Sequence, residues 1–216
     1  ASILHQSDWY RNFRYVEDYF SRIHVFLDCE DICDVLVVSP IESVWCRIHP
    51  GWSRSLEATD DETKQIEKNF TDTFFALIGN HVEFDCGDED LISRYYSIEK
   101  TNEGTYLRIG RVRYQTVIVS GLVTIRGTTL RILREFSNSG GKVIFANGVP
   151  QFVDAQDEYG APDFDCLTCD IEHVADLLDE SKHVRIIEKD TGKTCQKVFT
   201  KIKQYGDKVR LMLLNT

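Results

Sequence analysis

The sequence predicts an α/β chain: a doubly wound, mainly parallel sheet with a β-rich extension at its C-terminal end. Three observations carry this. Short unbroken runs of β-branched residues, Val35-Leu36-Val37-Val38 and Thr116-Val117-Ile118-Val119 among them, are apolar on both faces. Strands of a parallel sheet covered by helices have that character. Between the runs lie stretches with apolar residues every three or four positions, and the turns joining them are short, as in folds that wind helices onto both faces of a parallel sheet.

The elements follow in order. Residues 8–27 put Trp9, Phe13, Val16, Phe20, Ile23 and Phe26 on one helical face, with Ser7 or Asp8 as N-cap. Residues 34–39 form the first strand, ended by Pro40. Residues 60–78 form a helix whose stripe is Ile66, Phe70, Phe74 and Leu77, with Thr59 and Glu62 as a capping box. A second strand is expected over 81–85, a short helix over 88–96, and an extended excursion over 105–110 that presents Arg111 to Tyr114. Residues 116–120 form the third strand and 128–136 the third helix; Gly140-Gly141 stops that helix before a fourth strand at 142–146. Beyond it, 171–178 reads as a helix, 183–188 as a strand and 190–193 as a turn. Residues 198–203 and 208–214 form a hairpin around Tyr205-Gly206-Asp207. The expected division is an α/β domain over 1–155 with its N-terminal helix, and remaining elements over 156–216 leading towards a further domain.

Composition narrows the function. The 216 residues, 42% of them hydrophobic, suffice for a substantial core. A net charge of -10, from 35 acidic and 25 basic residues, disfavours phosphate backbones and anionic lipid, so neither nucleic acid nor membrane is an expected partner. No stretch approaches the roughly 20 apolar residues of a membrane span. The start shows no signal-peptide pattern, and the only methionine is Met212, which suggests a processed or excised segment. Seven scattered cysteines do not form a disulfide framework; a reducing, cytoplasmic compartment suits them, with a periplasmic parent left open.

A doubly wound sheet binds ligands beyond the carboxyl ends of its strands. Those ends carry Glu42 and Trp45 after the first strand, and Asp85, Cys86, Asp88 and Glu89 after the second. The acidic residues form a rim suited to sugar hydroxyls, a metal or a neighbouring domain. Asp88 and Glu89 equally suit a helix N-terminus, where the dipole favours negative charge. Trp45 offers an apolar platform for a sugar ring. No Gly-rich phosphate loop follows the first strand, so no flavin or dinucleotide cofactor is expected. Cys86 stands in a strand-to-helix turn, but acidic neighbours raise a thiol pKa and disfavour a nucleophile. Cys166-Leu167-Thr168-Cys169 followed by His173 has the spacing of half a zinc site without a second pair nearby, although Cys195 is available; no metal is expected.

Several segments in order resemble a known family. They are Tyr15-Val16-Glu17-Asp18-Tyr19-Phe20, the first strand running into Pro40-Ile41-Glu42-Ser43-x-Trp45, Phe84-Asp85-x-Gly87-Asp88-Glu89, Gly110 to Tyr114, and Gly140-Gly141-Lys142-Val143-Ile144-Phe145. Over residues 8–155 the chain resembles the middle region of large bacterial glycoside hydrolases, the α-L-rhamnosidase-like proteins related to family 106. The resemblance implies a flavodoxin-like domain similar to class I glutamine amidotransferases and to the trimerisation domain of family 42 β-galactosidases. It implies a position between a catalytic (β/α)-barrel and β-sandwich domains of the same parent chain, with the catalytic carboxylates in the barrel and none here. Glu42, Trp45, Asp85 and Asp88 carry over as cleft-lining or interface positions. Cys86 stands where an aromatic residue is expected, a departure that weakens sugar binding by that loop. Three functions follow: an accessory domain that orients the barrel or joins a homo-oligomer, a carbohydrate-binding module at Glu42 and Trp45, and an amidotransferase-like enzyme using Cys86.

Overall fold

The computed structural model describes residues 5–47 and 60–216. It divides into two compact units, Cys33–Thr200 with Leu214–Thr216, and the segment ending at Ile32 with Lys201–Leu213. Along the chain, α1 (Phe13–Leu27) and β1 (Glu30–Asp31) precede β2 (Val35–Val38), α2 (Ile41–Trp45), α3 (Asp61–Gly79), β3 (Phe84–Gly87) and α4 (Glu89–Tyr95). A meander of β4 (Tyr96–Thr101), β5 (Gly104–Ile109) and β6 (Val112–Tyr114) leads into β7 (Thr116–Ser120), β8 (Thr124–Ile125) and α5 (Gly127–Asn138). Then come β9 (Lys142–Ala146), β10 (Phe152–Val153), β11 (Asp157–Glu158), β12 (Leu167–Cys169) and a 3-10 helix over Ile171–Ser181. The last two strands are β13 (Val198–Tyr205) and β14 (Lys208–Asn215).

In the larger unit, β3-β2-β7-β9-β12 form an all-parallel sheet. Counted in chain order the strands lie 2-1-3-4-5, the order of a flavodoxin-like doubly wound fold, as the sequence predicts. Alternate residues of its central strands supply two cores. Leu36, Val38, Val117, Val119, Val143 and Phe145 join Ile132, Leu133 and Phe136 of α5 on one face. Val35, Val37, Ile118 and Ile144 meet Leu77 of α3 and Val174 and Leu178 of the 3-10 helix on the other. Helix α5 ends as its glycines require: Gly140 takes φ +98°, Gly141 N–H donates to Phe136 O at 2.9 Å, and Gly140 N–H to Ser137 O at 2.8 Å. A side chain at Gly141 would fall 2.2 Å from the Phe136 ring.

In the larger unit four expectations change. The cap of α3 is Asp60, whose carboxylate accepts from Thr63 N–H at 2.9 Å and from the Arg47 guanidinium at 2.8 Å; Thr59 lies outside the described residues. The second strand starts at Phe84, three residues late, because residues 80–83 finish the preceding helix. His81 adopts φ +60° while Val82 N–H reaches Leu77 O at 3.0 Å, and its ring bonds Val198 O at 2.9 Å, so a histidine fills a place that usually goes to glycine. The excursion after α4 is a three-stranded antiparallel sheet, β4-β5-β6. Residues 183–188 form no strand; a single bridge, Ile187 to Thr194, is all the pairing found there.

In the smaller unit, β1 pairs antiparallel with β13, and β13 with β14. Asp31 accepts from Lys201 and Lys203 at 3.1 Å each, and the Arg210 guanidinium lies 4.1 Å from the centre of the Tyr205 ring. Helix α1 begins at Phe13, after a 3-10 turn over Tyr10–Asn12, so neither Ser7 nor Asp8 is its N-cap, and none of its residues is buried. Among the described residues no helix is long and apolar enough to cross a membrane.

Candidate functional site

In a 2-1-3-4-5 sheet the direction of winding reverses between the first and third strands, so the ligand crevice opens beyond the carboxyl ends of β2 and β7. Here the loops after those strands are stitched together. Pro40 ends β2 and the chain turns at once into α2, placing Ser43 inward, 1% exposed. Its hydroxyl accepts from Val123 N–H at 3.0 Å and Thr124 N–H at 3.1 Å, and donates to Thr124 O at 3.1 Å. One side chain thereby satisfies three backbone groups that would otherwise be buried without partners.

Arg126 stands beside this stitch. Its Nε donates to Glu42 Oε1 at 2.7 Å, with Nη2 on the same oxygen, and its Nη1 to Asp90 Oδ1 at 3.3 Å. The backbone N–H of Arg126 donates to Glu89 Oε2 at 2.8 Å. Glu89 is 2% exposed with its Oε1 unpartnered, and burial raises its pKa above the ordinary carboxylate value. At the start of α5, Asp154 acts as a cap from a distance, its Oδ1 accepting from Gly127 N–H at 3.1 Å. Asp154 and Ala155 both hold positive φ, +51° and +58°, and Ala155 N–H is secured by Thr124 Oγ1 at 2.9 Å.

The sequence-derived site residues fall into separate settings. Glu42 borders a recess of about 410 Å³ with Cys46, Arg126, Thr128 and Asp154. Trp45, on the same short helix, borders a different recess of about 310 Å³ with Pro40, Ile41, Val44 and Phe70. Asp85 lies on β3, where the Tyr114 hydroxyl donates to its Oδ2 at 3.0 Å. Asp88 is the N-cap of α4, accepting from Leu91 N–H at 3.0 Å. Desolvation, and then the Asp85 carboxylate, hold the Cys86 thiol above its ordinary pKa, which opposes a thiolate nucleophile. Cys166 packs against one core and Cys169 against the other, so the two thiols face opposite sides of the sheet. Among the described residues no three His, Cys, Asp or Glu side chains are placed to hold a metal.

Sequence reasoning missed Ser43 and Arg126 as organising residues. Their partners lie 81 and 84 positions away, and no local pattern announces them. The arrangement is a set of carboxylates committed to a guanidinium and to backbone amides.

The sequence matches no protein-family model and no curated protein. Among solved structures it is similar to the apo exo-carrageenase GH42 from Bacteroides ovatus, with a TM-score of 0.49 and 7% identity over 84% of this chain. The chain spans 22% of the length of that glycoside hydrolase.

Proposed function

We propose that this chain is a non-catalytic accessory domain of a larger glycoside hydrolase, flanking and orienting a catalytic barrel and contacting β-sandwich domains of the same parent. The observation that supports it is the stitched crevice. At the place where this fold takes ligands, Ser43 ties the two loops together and Arg126 occupies Glu42 and Asp90. A glycosidase needs one carboxyl free to give up a proton and a second, roughly 5–10 Å away, free to attack or to activate water. Here Glu42 is held by a guanidinium, Asp88 caps a helix and Glu89 is sealed from solvent. The ordered resemblance over residues 8–155 adds the kind of parent. Glu42, Trp45, Asp85 and Asp88 serve in this reading as cleft-edge or domain-interface positions.

The test is hydrolysis of aryl rhamnosides and aryl galactosides by the purified chain. No release above the blank is expected. Turnover that disappears in Glu42→Gln would overturn the proposal.

A further inference from the structure

A third recess, of about 350 Å³, lies beyond the carboxyl ends of β7 and β9, beside the stitched crevice, within the size range of small-molecule sites. Four carboxamides line it, Gln65 and Asn69 from α3 and Asn147 and Gln151 from the segment after β9, with Leu122 and Val149 as apolar floor. Asn69 is 7% exposed, and its Oδ1 accepts from Gln65 at 2.8 Å and from Asn147 at 2.9 Å, which fixes the orientation of the amides. Gly121 is obligatory here: it holds φ +56°, and a Cβ would fall 2.2 Å from Asn69 Nδ2. Asn147 adopts φ +61°, followed by Gly148 at +97°, and this turn carries its amide to Asn69. The Oδ1 of Asn147 and both ends of the Gln151 amide take no partner among the described residues and remain for a ligand.

The charge of the recess selects the ligand. Among the described residues Glu62 is the one ionisable lining group, and the Arg47 guanidinium is shared between that carboxylate and Asp60. Among the described lining residues an anion finds no free cation. Carboxamides donate and accept side by side, which matches adjacent hydroxyls that do the same. From this we infer that the recess binds a neutral polyhydroxylated ligand, a single pyranose unit. The inference is independent of the accessory-domain proposal, since binding without turnover and turnover without binding at this recess are separate observations.

The experiment is a ¹H–¹⁵N correlation titration of the labelled chain with galactose, glucose and rhamnose, and in parallel with galacturonate. Saturable shifts are expected at Gly121, Gly148 and the side-chain amides of Asn147 and Gln151, with a dissociation constant on the order of millimolar for at least one neutral sugar. Gln151→Ala alters an exposed residue, and Asn147→Gly removes the amide while suiting the left-handed backbone. Each should weaken binding by roughly tenfold or more and leave distant resonances in place. Shifts that never saturate, shifts unchanged in both variants, or a preference for galacturonate would overturn the proposal.

Discussion

The Thr-Val-Ile-Val-Ser run of β7 and the Leu-Met-Leu-Leu run within β14 are both strongly apolar, yet their surroundings differ completely. Every residue of β7 is buried, whereas seven of the eight in β14 are exposed. Helices show the same contrast. The stripe of α3 reaches the core through Ile66 and Leu77, while Tyr15, Tyr19 and Phe20 of α1 stand 57–74% exposed. Most of the exposed large apolar side chains belong to the smaller unit. Periodicity and propensity suffice to form an element, but its burial depends on a second layer. The larger unit has layers on both faces of its sheet, and its stability resides there.

The contrast breaks most clearly in the aromatic residues. Phe136→Ala should cost about 3–5 kcal/mol, because a fully buried ring leaves a cavity over Gly141. Tyr15→Ala on α1 should stay within about 0.5 kcal/mol. Urea unfolding of both variants decides it, and similar midpoints would show that the smaller unit is covered in solution.

Polar groups sharpen the comparison at lower cost. Ser43→Ala strands Val123 N–H and Thr124 N–H in a buried loop and should lose about 1–3 kcal/mol. Asp18→Ala removes an ion pair with Arg14 at 3.8 Å on α1, where both side chains are over half exposed, and should lose less than about 0.5 kcal/mol. Thermal melts of the pair in one buffer make the measurement.

The smallest effect depends on pH. His183 Nε2 lies 2.8 Å from Asp34 Oδ2, and that hydrogen bond raises the imidazole pKa above 6.5 against the lowering effect of burial. A raised folded-state pKa means the charged imidazole stabilises the fold fully below the unfolded value and stops doing so as pH rises through the folded one. Asp34→Asn should therefore lower the melting temperature at about pH 5.5 and change it little at about pH 8.5. An equal loss at both values would mean that the pair acts without its charge.

The parts of the fold legible in the sequence are those with a local cause. Strands β2, β7 and β9 are short runs apolar on both faces, and the end of α5 is written in Gly140-Gly141. Strand β12 escaped because Leu-Thr-Cys is short, half polar and lies at the sheet edge. Residues 183–188 misled because Val184, Ile186 and Ile187 are β-branched and favour a strand, although no neighbouring strand pairs with them beyond one bridge. At the site, the helix-cap reading of Asp88 was local and is the one observed. The pairing of Glu42 with Arg126 was not, since it depends on where β7 lies in the sheet.

The segmentation of the chain has a consequence for its synthesis. Among the described residues strand β1 pairs only with β13, and Asp31 meets Lys203 across 172 residues, while most of the larger unit is one continuous stretch between them. At ribosomal rates of roughly 5–20 residues per second, β1 leaves the exit tunnel on the order of ten seconds or more before its partner exists. Through that interval Phe26, whose ring centre lies 5.8 Å from Lys203 Nζ in the finished unit, travels without that cover, so a nascent chain stalled near residue 200 should be bound by molecular chaperones more strongly than the finished one.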